Sequence, residues 1–334
     1  MMNQEINTAA YRNNFVSHQE ALFSNDSEMD KTLHIALCFD HNFAMPAGVA
    51  IFSIIENNKN TNLHFHLITT GITDADVDSF KKLKVSNVSI TVYYIDDNFN
   101  INSDTLVLGI PLSTCLRFLI PEVIDKEIES ILYLDCDVIC HGDISGLMHV
   151  DFGNAIAAVI SDSQEMKDRV EQLGYNVNFH CYFNAGVMLI NTEAWRGSDI
   201  TGQALTMINS GKVFRYADQD VLNILLNDKL LYLDAKYNNK VTLSVNEDVE
   251  QKNIDGTLIM HYVTPSKPWY KIFQAKRFDS YFNNSPWSLC KRYLSPSYSV
   301  IRLKAKHEVS QGNYFEGLKY YILYIVSKLS KRKL

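Results

Sequence analysis

The sequence contains no run of about 18 apolar residues, the length a helix needs to cross a bilayer, so no transmembrane helix is expected. Its opening residues 1–14 are polar and lack the basic-then-apolar build of a secretory signal. None of its six cysteines (Cys38, Cys115, Cys136, Cys140, Cys181, Cys290) sits in a Cys-x-x-Cys pair. The expectation is reduced thiols in a cytosolic protein, not a disulfide framework. There is no Gly-x-Gly-x-x-Gly, which disfavours a dehydrogenase. Internal repeats and low-complexity tracts are missing as well. A basic excess is also lacking: the formal net charge of −7 is the wrong sign for a general nucleic-acid binder, so no nucleic-acid partner is expected.

What is present is ordinary in amount and uneven in placement. The apolar fraction of 46% and charged fraction of 21% are those of a globular protein. At 334 residues the chain has room for one large domain with an appendage, or for two domains. Residues 301–334 hold eight Lys or Arg against two Glu, a balance of +6, which leaves −13 for the first 300.

Residues 1–31 read as a polar extension with room for one short helix. His34-Ile-Ala-Leu-Cys-Phe39 is a short apolar run that ends at Asp40, the pattern of a buried strand. Helical spacing over 46–56 follows, then strands over 63–69 and 88–95 with a helix over 74–83 between them. Strand, helix, strand at this spacing predicts an α/β, parallel, doubly wound sheet. Further along, 113–120 reads as a helix, and 130–134, 155–160 and 186–190 as strands. A helix is expected from Asp218 to residue 226 and a strand over 257–262; the runs around 238–239 and 246–253 read as loops.

In an open α/β sheet, ligands bind beyond the carboxyl ends of the strands. Asp40, Asp135, Asp137, Asp162 and His261 all fall at or just past such ends. Asp135 and Asp137 lie two positions apart, and in extended backbone such residues face the same side. Two carboxylates facing one way repel unless a cation lies between them. Mg²⁺ or Mn²⁺ takes oxygen ligands and bridges carboxylates to phosphates. His261 can add a nitrogen, which tilts the choice toward Mn²⁺; taken alone, it reads sooner as a satisfied polar residue at a strand end.

Five segments in order carry a resemblance. Tyr133-Leu-Asp-Cys-Asp-Val138 resembles the Asp-x-Asp signature of glycosyltransferase family 8, a group with the GT-A fold. Asp40-His-Asn-Phe43, Tyr182-Phe-Asn-Ala-Gly186, Asp218-Gln-Asp220 and His261-Tyr-Val-Thr-Pro-Ser-Lys-Pro-Trp269 resemble its nucleotide, sugar, reaction-centre and closing segments. The likeness spans about residues 33 to 275. Within the family it is nearest to bacterial lipopolysaccharide core glucosyl- and galactosyltransferases, with the Asn284-Ser-Pro-Trp287 segment and the basic tail fitting that group.

The resemblance implies a GT-A fold with a Rossmann-like, mostly parallel nucleotide-binding sheet. It also implies a catalytic domain over 32–275, an extension over 1–31 and a helical, basic, membrane-associating region over 276–334. The implied reaction is retaining, metal-dependent transfer of glucose or galactose from a UDP-hexose to the lipopolysaccharide outer core, in an α-linkage. The implied place is the cytoplasmic face of the inner membrane. Asp135, Asp137 and His261 would hold Mg²⁺ or Mn²⁺, with Asp135 and Cys136 also beside the nucleotide. Asp40, Asn42 and Phe43 would take uracil and ribose, and Lys267 the diphosphate. Arg117 matches a donor-contacting position, although a solvated helix arginine has the same local pattern. Ala185 and Gly186 would line the donor, the bare Gly186 letting backbone approach the sugar. Asp162, Asn184 and Gln219 would bind sugar hydroxyls. Thr264 departs from a glycine found in some relatives.

A retaining hydrolase places a carboxylate nucleophile opposite the leaving group, but Gln219 occupies that position here by resemblance. The expected mechanism is therefore same-face substitution, with the Gln219 carbonyl stabilising developing charge; Asp218 as a double-displacement nucleophile ranks second. Two other readings stay open. A sugar nucleotidyltransferase also uses carboxylates on an α/β sheet but would show a Gly-rich phosphate loop near its first strand, which is missing. A non-catalytic UDP-sugar-binding, membrane-associated protein needs the nucleotide motifs alone.

The tail GLKYYILYIVSKLSKRKL over 317–334 places Leu318, Tyr321, Ile322, Ile325, Val326 and Leu329 at helical spacing beside Lys328, Lys331, Arg332 and Lys333. A basic helix with aromatics suits an anionic bilayer surface. The competing reading is a helix packed on the catalytic domain with a solvated basic end.

Overall fold

The apolar residues of the first strands fall at both parities, so both faces of their sheet must be covered. The protein's computed structural model describes residues 15–25, 31–96, 112–162 and 182–330, with Phe99, Ile101 and Met166. In strand β2 (Thr32–Phe39; β1 is Val16–Phe23), Leu33, Ile35, Leu37 and Phe39 enter one core and Ala36 and Cys38 the other.

Seven further strands extend this pattern: β3 (Asn62–Thr69), β4 (Val88–Ile95), β5 (Ser130–Leu134), β6 (Val138–Cys140), β7 (Ala157–Ser161), β8 (Phe183–Asn191) and β9 (Leu230–Tyr232). The main sheet has eight strands in the order β1-β4-β3-β2-β5-β8-β7-β9. Pairs β4/β3, β3/β2, β2/β5 and β7/β9 are parallel, whereas β1/β4, β5/β8 and β8/β7 are antiparallel. The sheet is thus mostly parallel, as expected. Because β8 runs the other way, its first residues reach the edge where β2, β5 and β7 end. Two short strands, β10 (Asn239–Lys240) and β11 (Ile259–His261), join β6 in a small second sheet.

Three local expectations need correction. The described part of the N-terminal extension forms β1, an antiparallel edge strand on β4, where the sequence showed no strand pattern. Half of its residues face solvent, so its sequence lacks a buried strand's apolar run; apart from Phe15, 24–25 and Lys31, the remainder of 1–31 lies outside the described residues. The 113–120 helix is a 3₁₀ segment, Leu112–Leu119, that passes into a short α-turn, Ile120–Val123. Pro121 has no N–H to continue the ladder and opens the new turn instead. The loop over 246–253 contains a helical turn, Val249–Lys252, capped by Asp248.

One core lies between the sheet and helix Ala44–Asn57, and it continues into the C-terminal region through Phe278, Phe282, Trp287 and Ile301. Trp287 is 1% exposed, and its ring carbons lie 2.2–2.4 Å from where a Cβ on Gly48 would stand. Only glycine lets the indole lie on that helix. The described cysteines carry no disulfide. Among the described residues no helix is long and apolar enough to cross a membrane.

Candidate active site

Strand β5 is buried from Ile131 to Leu134 and delivers Asp135 to the carboxyl edge of the sheet. Asp137 follows two residues later on the same side, directly before β6. His261 ends β11, whose pairing with β6 sets His261 opposite Val138. One ligand atom from each of Asp135, Asp137 and His261 lies within 4.8 Å of the others. His261 Nε2 is 3.1 Å from Asp137 Oδ1 and 3.7 Å from Asp135 Oδ2.

Hydrogen bonds fix which His261 nitrogen carries the proton. The Gly186 backbone N–H can only donate, and it donates to Asn184 Oδ1 at 3.1 Å. That oxygen also accepts from Asn238 Nδ2 at 2.9 Å, so Asn238 presents its Oδ1 to His261 Nδ1, 2.9 Å away. A carbonyl oxygen only accepts, hence Nδ1 holds a hydrogen, and in the neutral ring the Nε2 lone pair faces the carboxylates. Asp137 Oδ1 is buried with no hydrogen-bond partner. A lone pair facing a bare carboxylate oxygen at 3.1 Å is a donor set that calls for a cation.

Gly186 makes this approach possible. A Cβ there would stand 2.3 Å from His261 Cε1 and 2.7 Å from Asp135 Oδ2. The glycine therefore has a second reason beyond closeness to a sugar: it clears space for the metal-competent trio. The residues present fit a divalent cation.

Arg117 is buried rather than solvated, which excludes the surface-arginine alternative. Its Nη2 donates to Asp135 Oδ1 at 2.9 Å, Nη1 to the Ala185 carbonyl at 2.8 Å, and Nε lies 3.0 Å from Asp218 Oδ2. The guanidinium also stacks 4.5 Å over the Tyr133 ring, and the Tyr133 hydroxyl donates to Asp135. Asp135 Oδ2 is thereby turned toward His261 while Oδ1 is held from behind.

Asp218 is buried at the start of helix Ala217–Leu225, one residue after Ala217, whose φ of 37° is left-handed. Burial pushes its carboxyl up to about 6, against the pull of Arg117 and with help from Asp135. A carboxylate this buried and ion-paired is poorly placed for nucleophilic attack. Gln219 Oε1 accepts from the Ala185 N–H at 3.0 Å and from Asn184 Nδ2 at 3.1 Å. The Gln219 carbonyl therefore holds the Asn184–Gly186 loop, where the sequence suggested it turned to a reacting carbon; the loop donors are invisible to linear spacing.

The remaining candidates divide by location. Lys267 Nζ donates to Asp137 Oδ2 and, at 2.6 Å, to the Tyr262 carbonyl. Burial alone would push the Asp137 carboxyl up, but the Lys267 ammonium beside it outweighs that and holds it well below the usual carboxylate range. Asp40 caps the turn His41–Phe43 by accepting from the Asn42 N–H, and Phe43 meets Trp269 edge-on at 5.8 Å. The segments 40–43 and 261–269 are thus in contact. Cys136 is different: its thiol is buried in the core with Leu134 and Val138, and only its backbone can face a ligand. Alternation along the chain sends Asp135 and Asp137 one way and Cys136 the other. Asp162, just past β7, is paired with Lys240. Neither Lys240 nor Asn238 carried a sequence signal, since both stand in a stretch that reads as loop.

The family model for glycosyl transferase family 8 matches residues 34–272, and that for the family 8 C-terminal region matches 274–328. Lipopolysaccharide 1,3-galactosyltransferase of Salmonella typhimurium is 32% identical over 319 residues, covering 92% of this chain and 94% of the relative. Lipopolysaccharide glucosyltransferase WaaO of Escherichia coli K12 is 30% identical over 311 residues, covering 89% and 91%. Among solved structures, the galactosyltransferase LgtC with donor and acceptor sugar analogues superposes with a TM-score of 0.59 at 24% identity, over 76% of this chain and 96% of that one. That likeness is one of fold, and it is the GT-A fold.

Proposed function

We infer the reaction from one premise that the match over 34–272 establishes: this chain belongs to glycosyltransferase family 8 and is a glycosyltransferase. Our reading is retaining transfer of glucose or galactose from a UDP-hexose to the lipopolysaccharide outer core, forming an α-linkage. The kinship with enzymes named for lipopolysaccharide glucosyl and galactosyl transfer supports the acceptor class. The observation that carries the catalytic part is the convergence of Asp135, Asp137 and the His261 Nε2 lone pair over Gly186.

In this reading Asp135, Asp137 and His261 hold Mn²⁺ or Mg²⁺. When bound, that ion supplies Lewis-acid neutralisation of the diphosphate leaving group. The chain's own residues do the rest. Asp40, Asn42 and Phe43 take the uridine, with Asp135 toward the ribose and Arg117 bracing Asp135 from behind. Lys267 leaves Asp137 for the diphosphate as donor enters, exchanging one anion for another. Asp162 and Asn184 meet sugar hydroxyls, and Gln219 fixes the Asn184–Gly186 loop against the sugar. With Asp218 buried against Arg117, same-face substitution through an oxocarbenium-like state is preferred, the departing phosphate oxygen assisting the acceptor's proton.

The C-terminal helix Tyr314–Ser330 supports a peripheral place on the inner membrane's cytoplasmic face. Gly317 packs against Ala305 and Val309 of helix Tyr298–Ser310, while Leu318, Ile322, Ile325, Val326 and Leu329 remain exposed. Lys331, Arg332 and Lys333 lie outside the described residues. In this reading residues 32–275 are the catalytic domain and 276–334 the membrane-associating region.

The test is a donor screen. Chelated protein is given UDP-glucose or UDP-galactose with Mn²⁺ or Mg²⁺ restored, and lipopolysaccharide truncated to successive core lengths. Metal-restored transfer to one truncation supports the reading. Nucleotide binding without transfer or slow UDP-hexose hydrolysis would leave a binding protein, and pyrophosphate release from UTP would indicate a nucleotidyltransferase.

A further inference from the structure

A second group of nitrogen ligands lies at the other end of the strands. His34 on β2 and His64 on β3 are register partners, and His66, two residues on, faces the same side. Six residues of strand separate His34 from Asp40, about 20 Å. Elsewhere that face is apolar, with Ala36, Cys38 and Ile68 in the core. Three imidazoles there break the pattern a buried parallel strand needs.

They are also convergent and oriented. One nitrogen from each lies within 4.8 Å of the others. His66 is 1% exposed, and its Nδ1 is 3.0 Å from the Tyr93 hydroxyl. His64 Nε2 is 2.9 Å from Thr91 Oγ1. These outer bonds fix two rings and leave His64 Nδ1 and His66 Nε2 turned inward, with His34 Nδ1 3.0 Å from His66 Nε2. Two nitrogens on one tetrahedral ion with bonds near 2.05 Å stand about 3.4 Å apart, so the pair needs to open by only a few tenths of an ångström. A cleft of about 790 Å³ gives access, with Asp125 elsewhere on its wall. Burial depresses His34 and His64 to about 4, so both are neutral at pH 7 and offer lone pairs.

We propose that His34, His64 and His66 form a second metal site, for a divalent first-row transition ion of the zinc class, with the fourth position open to the cleft. Imidazole selects zinc-like ions over Mg²⁺, whose ligands are oxygens. The ion joins β2 and β3, so it stabilises the fold and takes no part in transfer. The site stands independently of the proposed reaction.

The experiment uses the full chain without an affinity tag, stripped by chelator. Zn²⁺ retained after dialysis is measured for wild type, Asp137→Asn, His34→Gln and His64→Gln, with Co²⁺ visible absorption as a coordination readout and Mn²⁺ binding as a control for the active site. The proposal expects one equivalent and a raised Tm in Asp137→Asn, and at least one equivalent in wild type, whose active site can hold a second ion. It expects affinity at least about 100-fold weaker in either histidine variant, beyond what losing an outer hydrogen-bond partner costs, with Mn²⁺ binding intact. His34 and His64 are half-buried, so glutamine leaves the fold in place, and far-UV circular dichroism checks this. No retained Zn²⁺ in Asp137→Asn, or wild-type Zn²⁺ affinity in either histidine variant, would overturn the site and leave a hydrogen-bonded polar cluster.

Discussion

Replacing Gly186 by alanine is the most discriminating perturbation of the active site, because it adds one methyl group and removes nothing. The new Cβ would stand 2.3 Å from His261 Cε1 and 2.7 Å from Asp135 Oδ2. Carbon atoms rest about 3.5 Å apart or more, so something must retreat by roughly 1 Å. His261 cannot swing freely: Nδ1 is bound to Asn238, and its backbone is paired with β6 and β10. Asp135 is held by Tyr133 and Arg117. Relief must come from opening the metal trio or shifting the Asn184–Gly186 loop. Overpacking of this kind costs about 1–3 kcal/mol of stability, and a misplacement near 1 Å costs on the order of 100-fold in rate. The assay pairs Mn²⁺ affinity, read by electron paramagnetic resonance, with UDP release from UDP-hexose. Gly146→Ala is the control, since its Cβ would meet nothing nearer than the Tyr237 hydroxyl at 3.5 Å. A Gly186→Ala protein with wild-type Mn²⁺ affinity and rate would refute the reasoning.

Other predictions follow from the same geometry. Asp218 titrates near 6 in the folded protein against an ordinary 3.8. A raised carboxyl contributes stability fully below its unfolded value and loses it as pH rises through the folded one. Wild type should therefore lose roughly 2–3 kcal/mol relative to Asp218→Asn between about pH 4 and 6; parallel denaturation profiles would contradict this. Trp287→Ala should cost about 3–5 kcal/mol in urea unfolding. Gly48→Ala should also destabilise, and its effect should shrink in the Trp287→Ala background because both act on one contact; strict additivity would contradict the packing. Removing residues 312–334 should reduce co-sedimentation with anionic vesicles at low salt while donor binding stays intact, and unchanged sedimentation would argue against the tail's role.

The strands were legible because burial on two faces writes continuous apolar runs, as in Ile131 to Leu134, and their ends pointed to Asp40, Asp135 and Asp137. What escaped was whatever depends on pairing between distant segments. β1 escaped because an edge strand needs only half of its side chains buried. Gly186 looked like a residue for sugar approach, yet its nearest constraints are His261 and Asp135, which β8, β5 and β11 bring together. Arg117 read as well on a helix surface as in a site, and only the fold shows it clamped between Asp135 and Asp218. The bond between the Gln219 carbonyl and the backbone N–H of Ala185 escaped because a backbone donor carries no signature in sequence. Lys240 and Asn238 sit in a run with no periodicity, and their partners Asp162 and His261 lie 78 and 23 residues away.

Crystals grown with UDP and Mn²⁺, with anomalous scattering recorded at the manganese edge, test the central claim most directly. The account predicts a single strong peak among Asp135, Asp137 and His261 Nε2, with the Lys267 ammonium moved from Asp137 to the diphosphate. A peak elsewhere, with Lys267 still on Asp137 and the three side chains bound to no ion, would contradict it.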